Sequence, residues 1–181
     1  MATPIRVLVV TVSDSRRKAD DESGPLLERK LTDAGFAVRR HPPVRDDLLL
    51  IRELVRSAST LNEADVIAIT GGTGLAPRDV TPEAVEPLFE KRIDGFGEEF
   101  RRRSWSGASS SPWRASPEQN GGVGARAMLS RATAGVVSGT IVFVLPGSPE
   151  AVELGAALLV DVIPHAVEVA SGRAHHGRKA K

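Results

Sequence analysis

Hydrophobic positions along this chain follow two alternating rhythms. Residues 5–12 (IRVLVVTV) are almost unbroken apolar and β-branched until Ser13-Asp14-Ser15, the pattern of a strand covered on both faces of a sheet. Ser23-Gly24-Pro25 then opens a stretch in which Leu26, Leu27, Leu31 and Ala34 recur at helical spacing until Gly35, which predicts a helix. Residues 36–40 predict a short strand. Asp46 or Asp47 can cap a second helix with an apolar face of Leu50, Leu54 and Ala58, and residues 65–70 (DVIAIT) predict another buried strand. Strand and helix in alternation require a parallel sheet with helices on both faces.

The second half changes character. Thr81 is the expected cap of a helix with Pro82 at its first position, and a further helix is predicted over 95–105, with Trp105 in the core. Residues 134–145 (AGVVSGTIVFVL) predict a hairpin or bend feeding a buried strand that stops at Pro146-Gly147-Ser148-Pro149. A helical stretch follows to about residue 170. Between them, residues 106–122 (SGASSSPWRASPEQNGG) contain ten Ser, Gly or Pro in seventeen positions, which is loop composition. Its few apolar residues, chiefly Trp113, bury too little area to offset the entropy of ordering it. This insert is therefore expected to pack weakly and to be dispensable for the fold. The expected organisation is one domain over 1–171 followed by a basic, solvated tail over 172–181 (GRAHHGRKAK).

Composition narrows the function classes. A chain of 181 residues, 41% hydrophobic and 26% charged, has room for one well-buried core. Its 24 basic and 23 acidic residues leave a net charge of +1, so no broad field draws it to nucleic acid or to a membrane. Absence of cysteine removes disulfides, thiolate nucleophiles and zinc-thiolate sites, and suits a reducing cytoplasm. No apolar run reaches the roughly 18 residues of a membrane span, and Met1 to Pro4 is too short for a signal peptide. A soluble cytoplasmic protein is expected.

Candidate chemistry gathers in loops that follow the predicted strands: 13–15, 71–79 and 146–149. In open α/β sheets, ligands bind outside the carboxyl ends of strands. Gly71-Gly72-Thr73-Gly74 lacks the Lys-Ser/Thr of a Walker loop and a third glycine at dinucleotide spacing. A turn remains whose glycines permit positive φ and let backbone N–H groups approach an anion, with Thr73 and Arg78 nearby. A phosphorylated ligand suits it; a purely steric glycine turn explains it equally well. Asp79 precedes the expected cap Thr81 by two residues, leaving its carboxylate for a cation or a basic partner. Asp46 is more simply a helix cap, and Ser13 and Ser23 a turn residue and a cap. His41, His165, His175 and His176 have neither triad partners nor metal spacing and are read as non-catalytic.

The ordered set TVSDS (11–15), DESGP (21–25), VRDD (44–47), ITGGTGLAPRDVTPEAVEPLF (69–89), GFGEEFRRRSW (95–105), AMLSRATAGV (127–136) and LPGSPEAV (145–152) resembles the MogA/MoaB family of molybdenum-cofactor biosynthesis. The resemblance spans nearly the whole chain, and its most specific part is the GGTG-to-DVTPEA stretch. It implies a three-layer α/β/α domain with a mostly parallel central sheet. It also implies adenylylation of molybdopterin by Mg-ATP, giving adenylyl-molybdopterin and pyrophosphate.

By the same resemblance, Asp46 and Asp79 match the two aspartates tied to catalysis and Mg2+. Gly71, Gly72, Thr73 and Gly74, with Arg78, match the loop contacting nucleotide or pterin. Ser13, Asp14, Pro146, Gly147 and Ser148 would line the same pocket, and Ser104 and Ser130 its pterin side. Some MoaB-type members lacking the acid at Asp46 are held not to adenylylate, so its presence points to an active enzyme. A homotrimer or dimer of trimers is implied, with other molybdenum-cofactor enzymes as partners. A catalytically silent pterin carrier and a regulatory nucleotide-binding module are the alternatives. The chain departs from the family in about fifteen extra residues between Trp105 and Ala127, expected to be a passive surface loop rather than a lid over the pterin.

Overall fold

The strands at the middle of the sheet carry apolar side chains on both sides, and this decides the layering. Residues 3–14, 21–106 and 124–172 are described by the computed structural model; the expectations for the insert at 106–122 and for the tail at 172–181 lie outside them apart from Ser106 and Gly172. Six strands, β1 (Arg6–Thr11), β2 (Ala37–Arg40), β3 (Val66–Thr70), β4 (Lys91–Arg92), β5 (Thr133–Val137) and β6 (Thr140–Leu145), form one sheet in the order β2-β1-β3-β6-β5-β4. The first four in that order run parallel, while β5 runs antiparallel to β6 and the edge strand β4 antiparallel to β5. The helices are α1 (Ser23–Asp33), α2 (Leu48–Thr60), α3 (Thr81–Val85), α4 (Asp94–Ser106) and α5 (Pro149–Ala170).

Because side chains alternate across a strand, Val7, Val9, Val66, Ala68, Ile141 and Phe143 pack against α1, α4 and α5. Leu8, Val10, Ile67, Ile69, Val142 and Val144 meet α2 and α3 on the opposite face. The result is the expected three-layer α/β/α domain with a mostly parallel sheet. Among the described residues no helix is long and apolar enough to cross a membrane.

Several local expectations change. Asp47, not Asp46, caps α2, accepting hydrogen bonds from the backbone amides of Leu49 (2.9 Å) and Leu50 (3.0 Å). That start sets the phase of the helix so that Ile51, Val55 and Ala58 face the sheet, while Leu50 is 52% exposed. Thr81 is the first residue of α3 rather than its cap, Val80 occupies the cap position, and the buried Thr81 hydroxyl makes no capping bond. Trp105 is 47% exposed on α4 rather than in the core. The predicted hairpin is present, turning at Ser138 (φ 47°) and Gly139 (φ 80°), the two successive positive φ values of a tight β-hairpin. Strand β4 escapes a periodicity argument because it has only two residues and pairs with β5 alone.

At the carboxyl edge of the sheet, polar side chains fasten the layers together. The Asp21 carboxylate, fully buried, accepts from the Thr11 hydroxyl (2.8 Å) and the Gly24 amide (3.0 Å), with Arg40 at 3.6 Å. Ser23 Oγ donates to the Gly147 carbonyl at 2.7 Å. The start of α1 is thereby tied to the ends of β1 and β6. Replacing Asp21 strands a buried hydroxyl and amide and removes bonds to a charged acceptor. Asp21→Ala is expected to lower stability by about 3 kcal/mol, seen as a reduced urea midpoint at unchanged slope.

Candidate functional site

From β1 the chain passes to β2 on one side, whereas β3 lies on the other side of β1 and leads toward β6. Loops leaving β1 and β3 therefore diverge, opening a crevice at the carboxyl edge. A cleft of about 440 Å³ occupies it, lined by Ser13 and Asp14 after β1, Asp46 before α2, Gly71 to Gly74 with Arg78 and Asp79 after β3, and Pro146, Gly147 and Ser148 after β6. Of the expected site residues, two fall elsewhere. Ser130 lines an adjoining depression of about 560 Å³, and Ser104, on α4, lines neither cavity. Ser104 misses the cleft because α4 packs on the α1/α5 face, away from the strand ends that form it.

Backbone geometry builds the glycine turn. Gly71 has φ +105°, its amide donates to the Leu145 carbonyl (3.0 Å), and an added Cβ would lie 2.1 Å from the Val12 carbonyl oxygen. At Gly72 (φ +64°), a Cβ would lie 2.2 Å from Thr81 Oγ1 and 2.7 Å from Asp46 Oδ1. Both positions require glycine on conformational and steric grounds, so the steric account of this turn holds. The same turn forms the floor of the cleft, so the steric and ligand-binding accounts are compatible.

Asp79 is not free, as its place before the helix had suggested. Its Oδ2 accepts from the Ala76 amide (2.9 Å) and its own amide donates to the Ala76 carbonyl (2.9 Å), closing the loop on itself. Arg131, absent from the expected site, donates to the carbonyls of Asp79 (2.7 Å) and Thr73 (3.3 Å) and pairs with Glu83. Its sequence signal is an arginine two residues before the buried strand β5, within the AMLSRATAGV segment. Ser148 caps α5 by accepting from the Ala151 amide at 3.2 Å, so α5 points its N-terminus at the cleft, a favourable end for an anion.

With Asp47 as the cap, Asp46 is released from helix duty. Its amide donates to Asp14 Oδ1 (3.1 Å), while its Oδ1 is buried without a hydrogen-bond partner. Burial pushes the Asp46 carboxyl above the ordinary aspartate range. The nearby charges of Asp14 and Asp79 add to the rise, against a backbone hydrogen bond from Asp14 and the charge of Arg78. Arg45 approaches Asp14 at 3.9 Å. Among the described residues, no group of three or more His, Cys, Asp or Glu is arranged to hold a metal. Magnesium is commonly bound by one or two carboxylates completed by substrate phosphates. Asp46, with an unpartnered oxygen beside Asp79, fits that manner of binding and not an all-protein cage.

A family model described as "Probable molybdopterin binding domain" matches residues 8–165. The chain belongs to the MogA/MoaB family of molybdenum-cofactor biosynthesis. It is 37% identical over 164 residues to molybdenum cofactor biosynthesis protein B of Bacillus subtilis (strain 168), covering 90% of this chain and 88% of that one. The protein of the same name from Escherichia coli (strain K12) is 36% identical over 148 residues, covering 82% and 78%. A crystal structure of a molybdenum cofactor biosynthesis protein B superposes with a TM-score of 0.80 at 36% identity, over 94% of this chain and 98% of the other. The tungsten cofactor synthesizing protein MoaB from Pyrococcus furiosus gives 0.74 at 34% identity, over 94% and 99%.

In this MogA/MoaB-family chain, the raised Asp46 carboxyl has a sign for stability. Its folded state holds the proton more tightly than the unfolded chain does, so its contribution to stability falls as pH rises through and above the ordinary aspartate range. Asp46→Asn removes that charge. The variant is expected to melt at a higher temperature than the parent at neutral pH. Calorimetry across pH should show the gain shrinking as pH drops into the ordinary aspartate range.

Proposed function

We propose that this protein is a molybdopterin adenylyltransferase. What supports the reading most is Asp46, freed from helix capping by Asp47 and lining one cleft with Asp79 and the glycine turn, its buried Oδ1 without a hydrogen-bond partner. In the proposed reaction a terminal phosphate oxygen of molybdopterin attacks the α-phosphorus of ATP and forms a new P–O bond. The bond from the α-phosphorus to the bridging oxygen breaks, and pyrophosphate leaves with the electron pair. Magnesium, when bound, neutralises charge on the leaving group. Gly71 to Gly74 and Arg78 bind the phosphates, and Ser13, Asp14 and the 146–148 turn wall the cleft. Asp46 and Asp79 hold the cation or orient the phosphates. The pterin end is assigned to the adjoining depression beside Ser130.

A second reading is favoured by the names of the relatives. Those at 36–40% identity are molybdenum cofactor biosynthesis protein B, and the family resemblance implies silent members among MoaB-type proteins without the acid at Asp46, so a silent pterin carrier is the competitor. ATP consumption measured with and without molybdopterin separates the cases. The transferase needs both ligands, a carrier binds pterin alone, and a regulatory module binds nucleotide without regard to pterin. For the transferase, Asp46→Asn and Asp79→Asn should each slow adenylylation by on the order of 100-fold or more with pterin affinity changed much less. Wild-type turnover in both variants rules these carboxylates out of the mechanism.

We further propose a cytoplasmic homotrimer or dimer of trimers that hands its product to other molybdenum-cofactor enzymes. Exposed Leu49, Leu50, Leu61, Met128 and Leu129 supply apolar surface suited to burial between subunits. Light scattering at micromolar concentration should give a mass of three or six chains. A monomer overturns the assembly.

A further inference from the structure

Two different supports hold the two halves of the cleft's long loop. The glycine turn belongs to the scaffold: the Gly71 amide donates to Leu145 on β6, and the Gly72 carbonyl accepts from Thr81 at the start of α3 (3.0 Å). Beyond it, residues 74–77 are exposed, and the hydrogen bonds that pair Ala76 with Asp79 stay within the loop. Among the described residues, a single guanidinium reaches this second half from outside the loop. Arg131 Nη2 reaches the Asp79 carbonyl and its Nε the Thr73 carbonyl, so a single planar group clasps both ends of the 73–79 loop. Arg131 is itself well placed to act as a fixed post. It stands two residues before β5, which pairs along its length with β6, and its Nη1 is turned to Glu83 on α3.

The geometry points to Arg131 as a positioning residue that sets where Asp79 stands relative to Asp46 and the glycine turn, acting through the loop backbone from the depression beside Ser130, which it lines, and not from within the cleft. This rests on the adenylyltransferase reading for its catalytic consequence. Because the glycine turn keeps its own anchors, loss of the strap leaves nucleotide binding largely in place and misplaces the carboxylate. Effects on turnover and on affinity therefore separate.

The experiment compares wild type with Arg131→Ala and Arg131→Lys in the full-length chain. In Arg131→Ala, kcat with ATP and molybdopterin is expected to fall at least about 10-fold while KM for ATP changes less than about 3-fold. Lysine restores part of the rate with one donor group in place of the fork, and millimolar methylguanidinium restores part of the alanine variant. A readout without ligand accompanies this: amide exchange at Ala76 and Asp79 should quicken about 10-fold or more in Arg131→Ala, with Ile67 and Ala68 in β3 unchanged. Unchanged exchange at Ala76 and Asp79, or uniform acceleration throughout the sheet, overturns the strap. If Arg131→Ala does not fold, Arg131→Lys against wild type carries the same comparison. Failure of the wild-type chain to adenylylate defeats the enzyme reading alone, and the exchange measurement still decides the strap.

Discussion

Everything at the carboxyl edge depends on how closely the backbone leaving β3 passes the end of β1. Gly71 sits so near the Val12 carbonyl that no side chain fits between them, and the next glycine is equally hemmed by Thr81 and Asp46. This contact brings the β1 loop, with Ser13 and Asp14, against the turn at Gly71 to Gly74, and it leaves the Asp46 carboxylate beside a surface of bare backbone. A larger residue at either position would push the strands' exits apart. Parallel pairing of β1, β3 and β6 makes the contact possible, because it brings three strand ends to one level.

Around that contact the molecule accepts an electrostatic cost. Asp14, Asp46 and Asp79 converge with Arg78 as the countercharge in the cleft, and burial keeps the Asp46 carboxyl less acidic than an ordinary aspartate. A group held this way is poised for a cation or for a ligand that brings one. The nearby buried carboxylate of Asp21 is the opposite case. It is satisfied by Thr11 and Gly24 and faces Arg40, and it serves to hold α1 in place. The two aspartates differ in partners, and so differ in use.

Support for the site is graded in the same way. The glycine turn is built into the sheet, Ser23 binds the 146–148 turn to α1, and the exposed stretch ending in Asp79 hangs on Arg131. Such a gradient from rigid floor to tethered loop is common where a ligand must enter and be gripped.

Much of this was legible in the residues alone. Continuous apolar runs at 5–12 and 65–70 announce strands covered on both faces, helical spacing between them demands crossovers, and Ser13 and Asp14 meet the polar loops at 71–79 and 146–149 in one cleft. These features are local, set by side-chain period and turn chemistry, so a linear reading reaches them. Tertiary structure decided what depends on phase and distance. Which of Asp46 and Asp47 caps α2 turns on one residue of helix phase, and only packing of Ile51 and Val55 on the sheet settles it. That Ser104 misses the cleft, that Trp105 faces outward, and that Arg131 reaches back 52 residues to clasp the Asp79 carbonyl follow from how α4 and β5 lie against the sheet. Sequence spacing carries no information about contacts made across that distance, because they form only once the layers have packed.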